Sequence, residues 1–236
     1  MTLDLTAYRI LTFDCYGTLI DWETGIVEAL RPVLSRRSIE LGDEEILELF
    51  GSLETGIQQP PYKTYREVLG LVLDAIGERL GFTPDEDERS RFAGSVAVWP
   101  AFPDSSEALK ALGRRYELVI LSNVDDDLFA GSARILGVEF TDVVTAQQVG
   151  SYKPDRRNFE VLLERLGRPR EEILHVAQSL YHDIAPANDL GLSTVWVNRR
   201  HGREGSGATP PQDARPDLEV PDLATLARLV DETFAG

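Results

Sequence analysis

Apolar residues are distributed along this chain with two alternating periods. Ile10-Leu11-Thr12-Phe13 is a short apolar run that leads into Asp14, with Gly17 and Thr18 just beyond. This predicts a buried strand, a carboxylate at its end, and a tight turn. The period then becomes helical. Trp22, Ile26, Ala29, Leu30, Val33 and Leu34 form one face between Asp21 and about Arg37. Pro32 either kinks that helix or starts a second. Asp43 opens another helix, with Glu44 and Glu45 in its first turn and Ile46, Leu47, Leu49 and Phe50 near one face. Gly51 to Pro61, rich in Gly and Pro, reads as a loop. Tyr65, Val68, Leu69, Val72, Leu73, Ile76 and Leu80 predict a long helix closed by Gly81. Thr83-Pro84-Asp85-Glu86 then opens a short acidic helix to about Val98.

Past Pro100 and Pro103 a strand–helix rhythm resumes. Helices are expected over Glu107–Arg115, Leu128–Leu136, Asn158–Leu166, from Asp183 to Leu190, and Leu223–Phe234. Strands are expected over Tyr116–Leu121, Phe140–Thr145, Ile173–Ala177 and Ser193–Val197, and residues 201–216 are irregular. Such alternation predicts an α/β fold, a doubly wound, Rossmann-like parallel sheet with helices on both faces. Residues 20–99, all helical, form an insertion that divides the chain. A core domain comprises 1–19 and 100–236, and a helical cap domain comprises 20–99.

Composition narrows the function classes. With 236 residues, 42% hydrophobic and 27% charged, the chain is ordinary for a globular protein and long enough for a sizeable core. A net charge of −16 argues against nucleic acid or an anionic membrane as partner. Runs such as Leu118 to Leu121 are far too short to span a bilayer. The first residues carry no apolar signal segment, and Cys15 is the one cysteine. No internal disulfide is therefore possible, and a reducing cytoplasm is the expected setting. Cys15 itself reads as a small strand filler, because nothing nearby would activate a thiol. The expected assembly is a monomer or homodimer.

Polar groups collect at the strand ends. In open α/β sheets ligands bind beyond the carboxyl ends of the strands. Asp14, Ser122, Lys153 on its loop, and Asp183 all fall on that edge. Taken singly, each is equally consistent with a helix cap or a solvated loop. In their order and spacing, Asp14 to Thr18, Ser122-Asn123, Lys153-Pro154 and Ser179 to Asp183 resemble the four motifs of the haloacid dehalogenase (HAD) superfamily. The resemblance covers nearly the whole chain and places the helical insertion at the cap site of one of its branches. It implies that Asp14 is a nucleophile that forms an ester with substrate. Under a cap that excludes water, such a carboxylate is freed to attack. Lys153 would keep Asp14 ionised. Thr18 and Ser122 would hydrogen-bond its oxygens or an oxyanion. Asp183 would orient Lys153 or position the hydrolytic water, and Asn123 would contact substrate or leaving group.

Two positions distinguish branches of the superfamily. Phosphatases carry a second Asp where Tyr16 stands, and magnesium-dependent members usually carry an acid where Ser179 stands. With both carboxylates missing, phosphatase chemistry is disfavoured and no cofactor is expected; magnesium is considered and disfavoured. Asp-x-Tyr-Gly-Thr is similar to the 2-haloacid dehalogenases, whose halide leaves without protonation. The implied substrate is a small 2-haloalkanoic acid, converted to a 2-hydroxy acid. Three features depart from that branch. Phe50-Gly51-Ser52-Leu53 holds no cap arginine, Leu180 replaces an Asn, and Phe159 replaces a Tyr. Phe13 to Ile26, Trp99 to Asp104, Gly150 to Pro154 and Ser179 to Asp183 also resemble the azetidine-2-carboxylate hydrolases, which open a strained ring by the same attack. Tyr16, Asn123, Ser179, His182 and Trp22 are the candidate substrate contacts. His182 is equally suited to passing a proton to an amine or to a structural role. Arg199 and Arg200 could grip a substrate carboxylate or face solvent. Trp22 and Trp99 either wall the pocket or simply pack at the cap's base.

Overall fold

Four strands read as apolar runs because they are buried on both faces, as parallel strands are. The computed structural model describes residues 3–202 and 208–235. Its strands are β1 (Ile10–Phe13), β2 (Glu117–Ser122), β3 (Asp142–Thr145), β4 (Ile173–Ala177), β5 (Ser193–Val197) and β6 (Leu218–Val220). All pair in parallel, in the order β3-β2-β1-β4-β5-β6. Phe13 lies opposite Ile120 of β2 on one side and Val176 of β4 on the other. The chain winds outward in opposite directions from β1 and β4, so a crevice opens between their carboxyl ends. Asp14 is the first residue past β1 and stands at that crevice.

The helices, in chain order, begin with α1 (Trp22–Ser35), α2 (Asp43–Ile57), α3 (Tyr65–Leu80) and α4 (Glu86–Gly94). Then follow α5 (Ser105–Leu112), α6 (Asp126–Leu136), α7 (Ala146–Val149), α8 (Arg156–Leu166), α9 (Ala185–Asp189) and α10 (Leu223–Ala235). Alternate residues of the strands feed two buried clusters. Leu11, Phe13 and Ile120 pack with Leu109 of α5 and Leu226 of α10; Ile10, Val119 and Ile173 pack with Phe159 of α8 and Ala187 of α9. The sheet is thus covered on both faces.

All of α1 to α4, plus a 3₁₀ turn over Ser95–Val98, lie between β1 and α5. The chain departs and returns at one place. Ile20 bridges Ala101, and the Asp21 N–H donates to the Pro100 carbonyl at 2.8 Å. Trp99 packs its indole across α1 there, so close that a Cβ on Gly25 would lie 2.2 Å from the ring. The first turns obey local rules. Asp21 caps α1, and Thr64 and Glu67 form a reciprocal capping box on α3, which ends at Gly81 with φ of 80°.

Three expectations need correction. Gly51 to Pro61 is not all loop, since α2 continues to Ile57. Gly51 is there for close approach rather than for a turn: a Cβ would sit 2.5 Å from the Ala208 carbonyl oxygen. β6 was not foreseen, because Leu218-Glu219-Val220 is too short to show a period. Pro32 neither breaks nor restarts α1, which runs through it to Ser35. Of the irregular stretch 201–216, residues 203–207 lie outside the described residues.

Gly25→Ala should therefore cost about 1–3 kcal/mol by forcing Trp99 to move. Gly70→Ala, in open space on α3, should be neutral or add up to about 1 kcal/mol of stability. Urea unfolding of both variants checks the contrast; equal midpoints would contradict the tight Trp99 contact.

Candidate active site

Asp14 is held at the crevice by backbone and side chain together. Its N–H donates to the Val176 carbonyl at 3.2 Å, tying the residue to β4. The turn beyond it wraps the Cys15 carbonyl, which accepts from Leu19 N at 2.7 Å and Ile20 N at 3.0 Å. Gly17 takes φ of 92° in that turn, a conformation that side chains disfavour. The turn carries Thr18 back over Asp14, where its hydroxyl donates to Oδ2 at 2.7 Å. The same hydroxyl accepts from Gln178 N at 2.8 Å, so its orientation is set.

Lys153 reaches the other carboxylate oxygen. Its ammonium donates to Asp14 Oδ1 at 2.9 Å, Asp183 Oδ1 at 2.7 Å and the Leu121 carbonyl at 2.9 Å. The side chain is 2% exposed, and all its protons are used. Asn123 fixes the Lys153 backbone, accepting from its N–H at 2.7 Å and donating to its carbonyl at 3.0 Å. One N–H and the oxygen of the Asn123 amide thus brace Lys153, while its second N–H makes no hydrogen bond among the described residues and the residue lines the pocket. Asp183 Oδ1 also meets His175 Nε2 at 3.0 Å, and His175 Nδ1 meets Thr12 Oγ1 at 2.9 Å. A carboxylate partner requires the proton on Nε2. His175 was overlooked because one histidine in an apolar strand carries no pattern. Asp183 Oδ2 is buried and makes no hydrogen bond among the described residues.

The charges are unequal. Burial raises the Asp14 carboxyl above its ordinary value, against the pull of Lys153. Burial also presses on Asp183, but Lys153 and the His175 hydrogen bond hold it below the ordinary value. Lys153 is raised despite its burial, by the two carboxylates. The cluster is thus one ammonium and two carboxyls, with Asp14 the more basic of the two.

The remaining predicted residues separate into walls and supports. The pocket in front of Asp14 holds about 450 Å³ of empty space, part of it open to solvent, and Tyr16, Trp22, Asn123, Ser179 and His182 all line it. Tyr16 turns its hydroxyl to Ser132 Oγ at 2.9 Å and its ring edge-on to Trp99. Ser179 caps the π-type turn Leu180–Ile184, with its hydroxyl 3.1 Å from His182 Nδ1. Burial pushes His182 down to about 4, so it is neutral near pH 7 and has no proton to give to an amine; the structural role fits it. Ser122 does not bond Asp14. Its hydroxyl is buried without a partner among the described residues, and it is absent from the pocket wall. Arg199 is spent on the Thr18 carbonyl and Asp104, and Arg200 on Glu23 and Glu44. Neither points a free guanidinium at Asp14.

A sequence profile of the haloacid dehalogenase-like hydrolases matches residues 8–191. The chain belongs to this family. A (S)-2-haloacid dehalogenase of Pseudomonas sp. (strain YL) is 28% identical over 96% of this chain and 95% of its own length. Haloacetate dehalogenase H-2 of Moraxella sp. (strain B) is 27% identical over 93% and 96%. Among solved structures, the L-2-haloacid dehalogenase of Xanthobacter autotrophicus superposes with a TM-score of 0.80 at 23% identity, over 95% of this chain and 98% of that one. At that identity the structural likeness speaks for the fold.

Magnesium, which other members of the superfamily use, fits this hydrolase poorly. The positions that would supply carboxylates present the Tyr16 phenol and the Ser179 hydroxyl, each already engaged. Among the described residues, no group of three or more His, Cys, Asp or Glu side chains is arranged to hold a metal ion. The segment 50–53 offers no place for a cap arginine either. Phe50 is buried edge-on against Trp22, Gly51 abuts Ala208, and Ser52 bonds back to the Leu49 carbonyl. Five wall residues were not foreseen, Glu54, Gln58, Tyr65, Gln178 and Thr209; the charged one is Glu54 on α2, 5% exposed, whose carboxylate accepts from the Tyr65 hydroxyl at 2.7 Å. Leu47, Phe50 and Glu54 share one face of α2. Reading 51–57 as loop concealed that register.

Two outcomes follow. A nucleophilic Asp14 must be ionised, and its carboxyl is raised, so if Asp14 makes the attack kcat/KM falls on the acid side through a pKa above the ordinary carboxylate value. A pH–rate profile with its limb at or below that value would contradict the assignment. Lys153→Met should leave two buried carboxyls facing each other and cost about 3–5 kcal/mol in urea unfolding.

Proposed function

We propose that this enzyme hydrolyses small 2-substituted carboxylic acids through an ester at Asp14. The substrate class is the 2-haloalkanoic acids and the product a 2-hydroxy acid. One observation carries the reading: a buried carboxylate, gripped by Lys153 on one oxygen and Thr18 on the other, faces a small pocket with Tyr16 where a phosphatase keeps its acid. In the first step an Asp14 oxygen attacks the α-carbon. A C–O bond forms, the carbon–halogen bond breaks, and halide departs with the electron pair, needing no proton. In the second step water attacks the Asp14 ester carbonyl, the acyl C–O bond breaks, and the 2-hydroxy acid leaves. Asp183 Oδ2, buried and unpaired, suits the positioning of that water, and Lys153 suits stabilising the oxyanion. Residues 20–99 serve as the cap that keeps bulk water from the pocket, over a core of 1–19 and 100–236.

The relatives named above support halide as leaving group. Ring opening of azetidine-2-carboxylate is the second reading. It uses the same attack with a nitrogen leaving group, and the carboxyl of Glu54 in the pocket wall favours it.

Kinetics on 2-chloropropionate, azetidine-2-carboxylate and a generic phosphate ester, with and without magnesium, test the proposal. Chloride release should be indifferent to magnesium and fall at least about a thousandfold in Asp14→Asn. Turnover of azetidine-2-carboxylate alone would keep the attack and change the leaving group. Magnesium-dependent phosphate release, with no product from either acid, would overturn the proposal.

A further inference from the structure

A second chamber adjoins the pocket in front of Asp14. It holds about 920 Å³ of empty space, part of it open to solvent, against about 450 Å³ for the first. Gln58, Lys153 and His182 line both spaces. The Lys153 side chain is buried and turned to Asp14 and Asp183. Gln58 is the neutral residue that ends α2, and burial keeps His182 neutral near pH 7. The junction is therefore faced by one committed ammonium and two neutral side chains.

Tyrosines form much of the chamber's surface. Tyr62 precedes α3, Tyr152 lies in the loop before α8, and Tyr181 lies in the turn Leu180–Ile184. Tyr62 and Tyr152 stack with ring centres 5.3 Å apart and planes tilted by 32°, and Tyr65 extends the row on Tyr152 at 6.4 Å. The Tyr152 hydroxyl donates to the Lys63 carbonyl at 2.8 Å, so its ring is fixed against the segment that leads into α3. Burial pushes Tyr62 up to about 12 and raises Tyr152 further, so both phenols stay uncharged. Besides Lys153, the charged side chain of this lining among the described residues is Asp155. It caps α8, accepting from the Arg157 N–H at 2.9 Å. The chamber thus offers ring faces and neutral polar groups, with its two charges already engaged. A neutral aromatic group matches that lining, because rings gain from offset or edge contact with other rings. A charged substituent would find no partner of its own there.

We propose that this chamber is a substrate subsite that receives an aromatic ring, so that the preferred substrates are 2-substituted carboxylic acids carrying an aryl group on a one- or two-carbon tether from the attacked carbon. This rests on Asp14 attacking that carbon in the adjoining pocket. The carboxylate and the α-carbon occupy the first space, and the ring lies against Tyr62 and Tyr152 in the second. A methyl substituent, as in 2-chloropropionate, leaves the second space to water.

Hydroxy acids, which carry no leaving group, test the subsite apart from catalysis. Titration calorimetry compares lactate, 3-phenyllactate, 4-phenyl-2-hydroxybutyrate and 2-hydroxyoctanoate, the last of similar size but without a ring. An aryl acid should bind the wild type at least about tenfold more tightly than lactate, through apolar area removed from water. It should bind about threefold more tightly than 2-hydroxyoctanoate, through ring contact. Thr55 faces the chamber from α2, and Thr55→Trp, which fills the space, should bring the aryl-to-lactate ratio close to one while its circular dichroism is unchanged. Equal binding of all four acids to the wild type would make the chamber a mere entrance and overturn the proposal without recourse to any variant. Octanoate binding as tight as aryl binding would overturn it too, as would an aryl preference that survives in Thr55→Trp. An aryl preference in an enzyme that forms no ester at Asp14 would lose the reading above and keep this subsite. Ester formation without an aryl preference would lose the subsite alone.

Discussion

The Lys153 ammonium is the charge on which the site depends. Asp14 and Asp183 both lie in the crevice, and both are buried. Two carboxylates cannot share such a place without a counter-charge, because neither is solvated and each repels the other. One ammonium touching both, at 2.9 and 2.7 Å, makes the arrangement possible. Sharing it unequally gives the two acids different characters. Asp183 also has His175 behind it and is held below the ordinary carboxyl value, whereas Asp14 is left with the weaker share and is raised, the more basic of the two. The hydrogen bonds from Thr12 through His175, Asp183 and Lys153 to Asp14 convert residues of separate strands into one charged unit.

The sheet topology is what brings these residues together. β1 and β4 are neighbours from which the chain winds in opposite directions, so Asp14 and the Ser179–Asp183 turn meet at the same crevice. Lys153 arrives from the loop before α8, held by Asn123 at the end of β2. The helices α1 to α4 join at a paired crossing, Ile20 against Ala101, and put Trp22, Glu54 and Tyr65 in the pocket wall with Asp14. Asp14 and its supports therefore come from the sheet and its loops, and much of the facing pocket wall comes from the inserted helices.

That division explains what could be read in advance. β4 and β5 were legible to the residue, since each is a short segment dominated by β-branched and apolar residues. Asp14, Lys153, Thr18 and Asp183 were legible because they occupy fixed offsets at strand ends and motif loops. Glu54 was not. It stands one turn beyond a glycine that looked like a helix stop, and only the close approach of Ala208 explains that glycine. Asn123 and Ser122 were legible as positions but not as contacts, because a side chain's partner depends on backbone from distant segments. The arginines after β5 looked available in the sequence, and their acidic partners come from Asp104, Glu23 and Glu44, remote in the chain.

The claim at the centre of this account is that Asp14 becomes covalently attached to substrate. Single-turnover hydrolysis in ¹⁸O-water, with enzyme in excess over 2-chloropropionate or azetidine-2-carboxylate, measures it through mass spectrometry of the peptide containing Asp14. Label entering Asp14, with unlabelled 2-hydroxy acid as product, is the expected result, because water attacks the ester at the Asp14 carbonyl. Label appearing in the product of that first turnover, with Asp14 unlabelled, would mean that water attacks the substrate directly, and would contradict it.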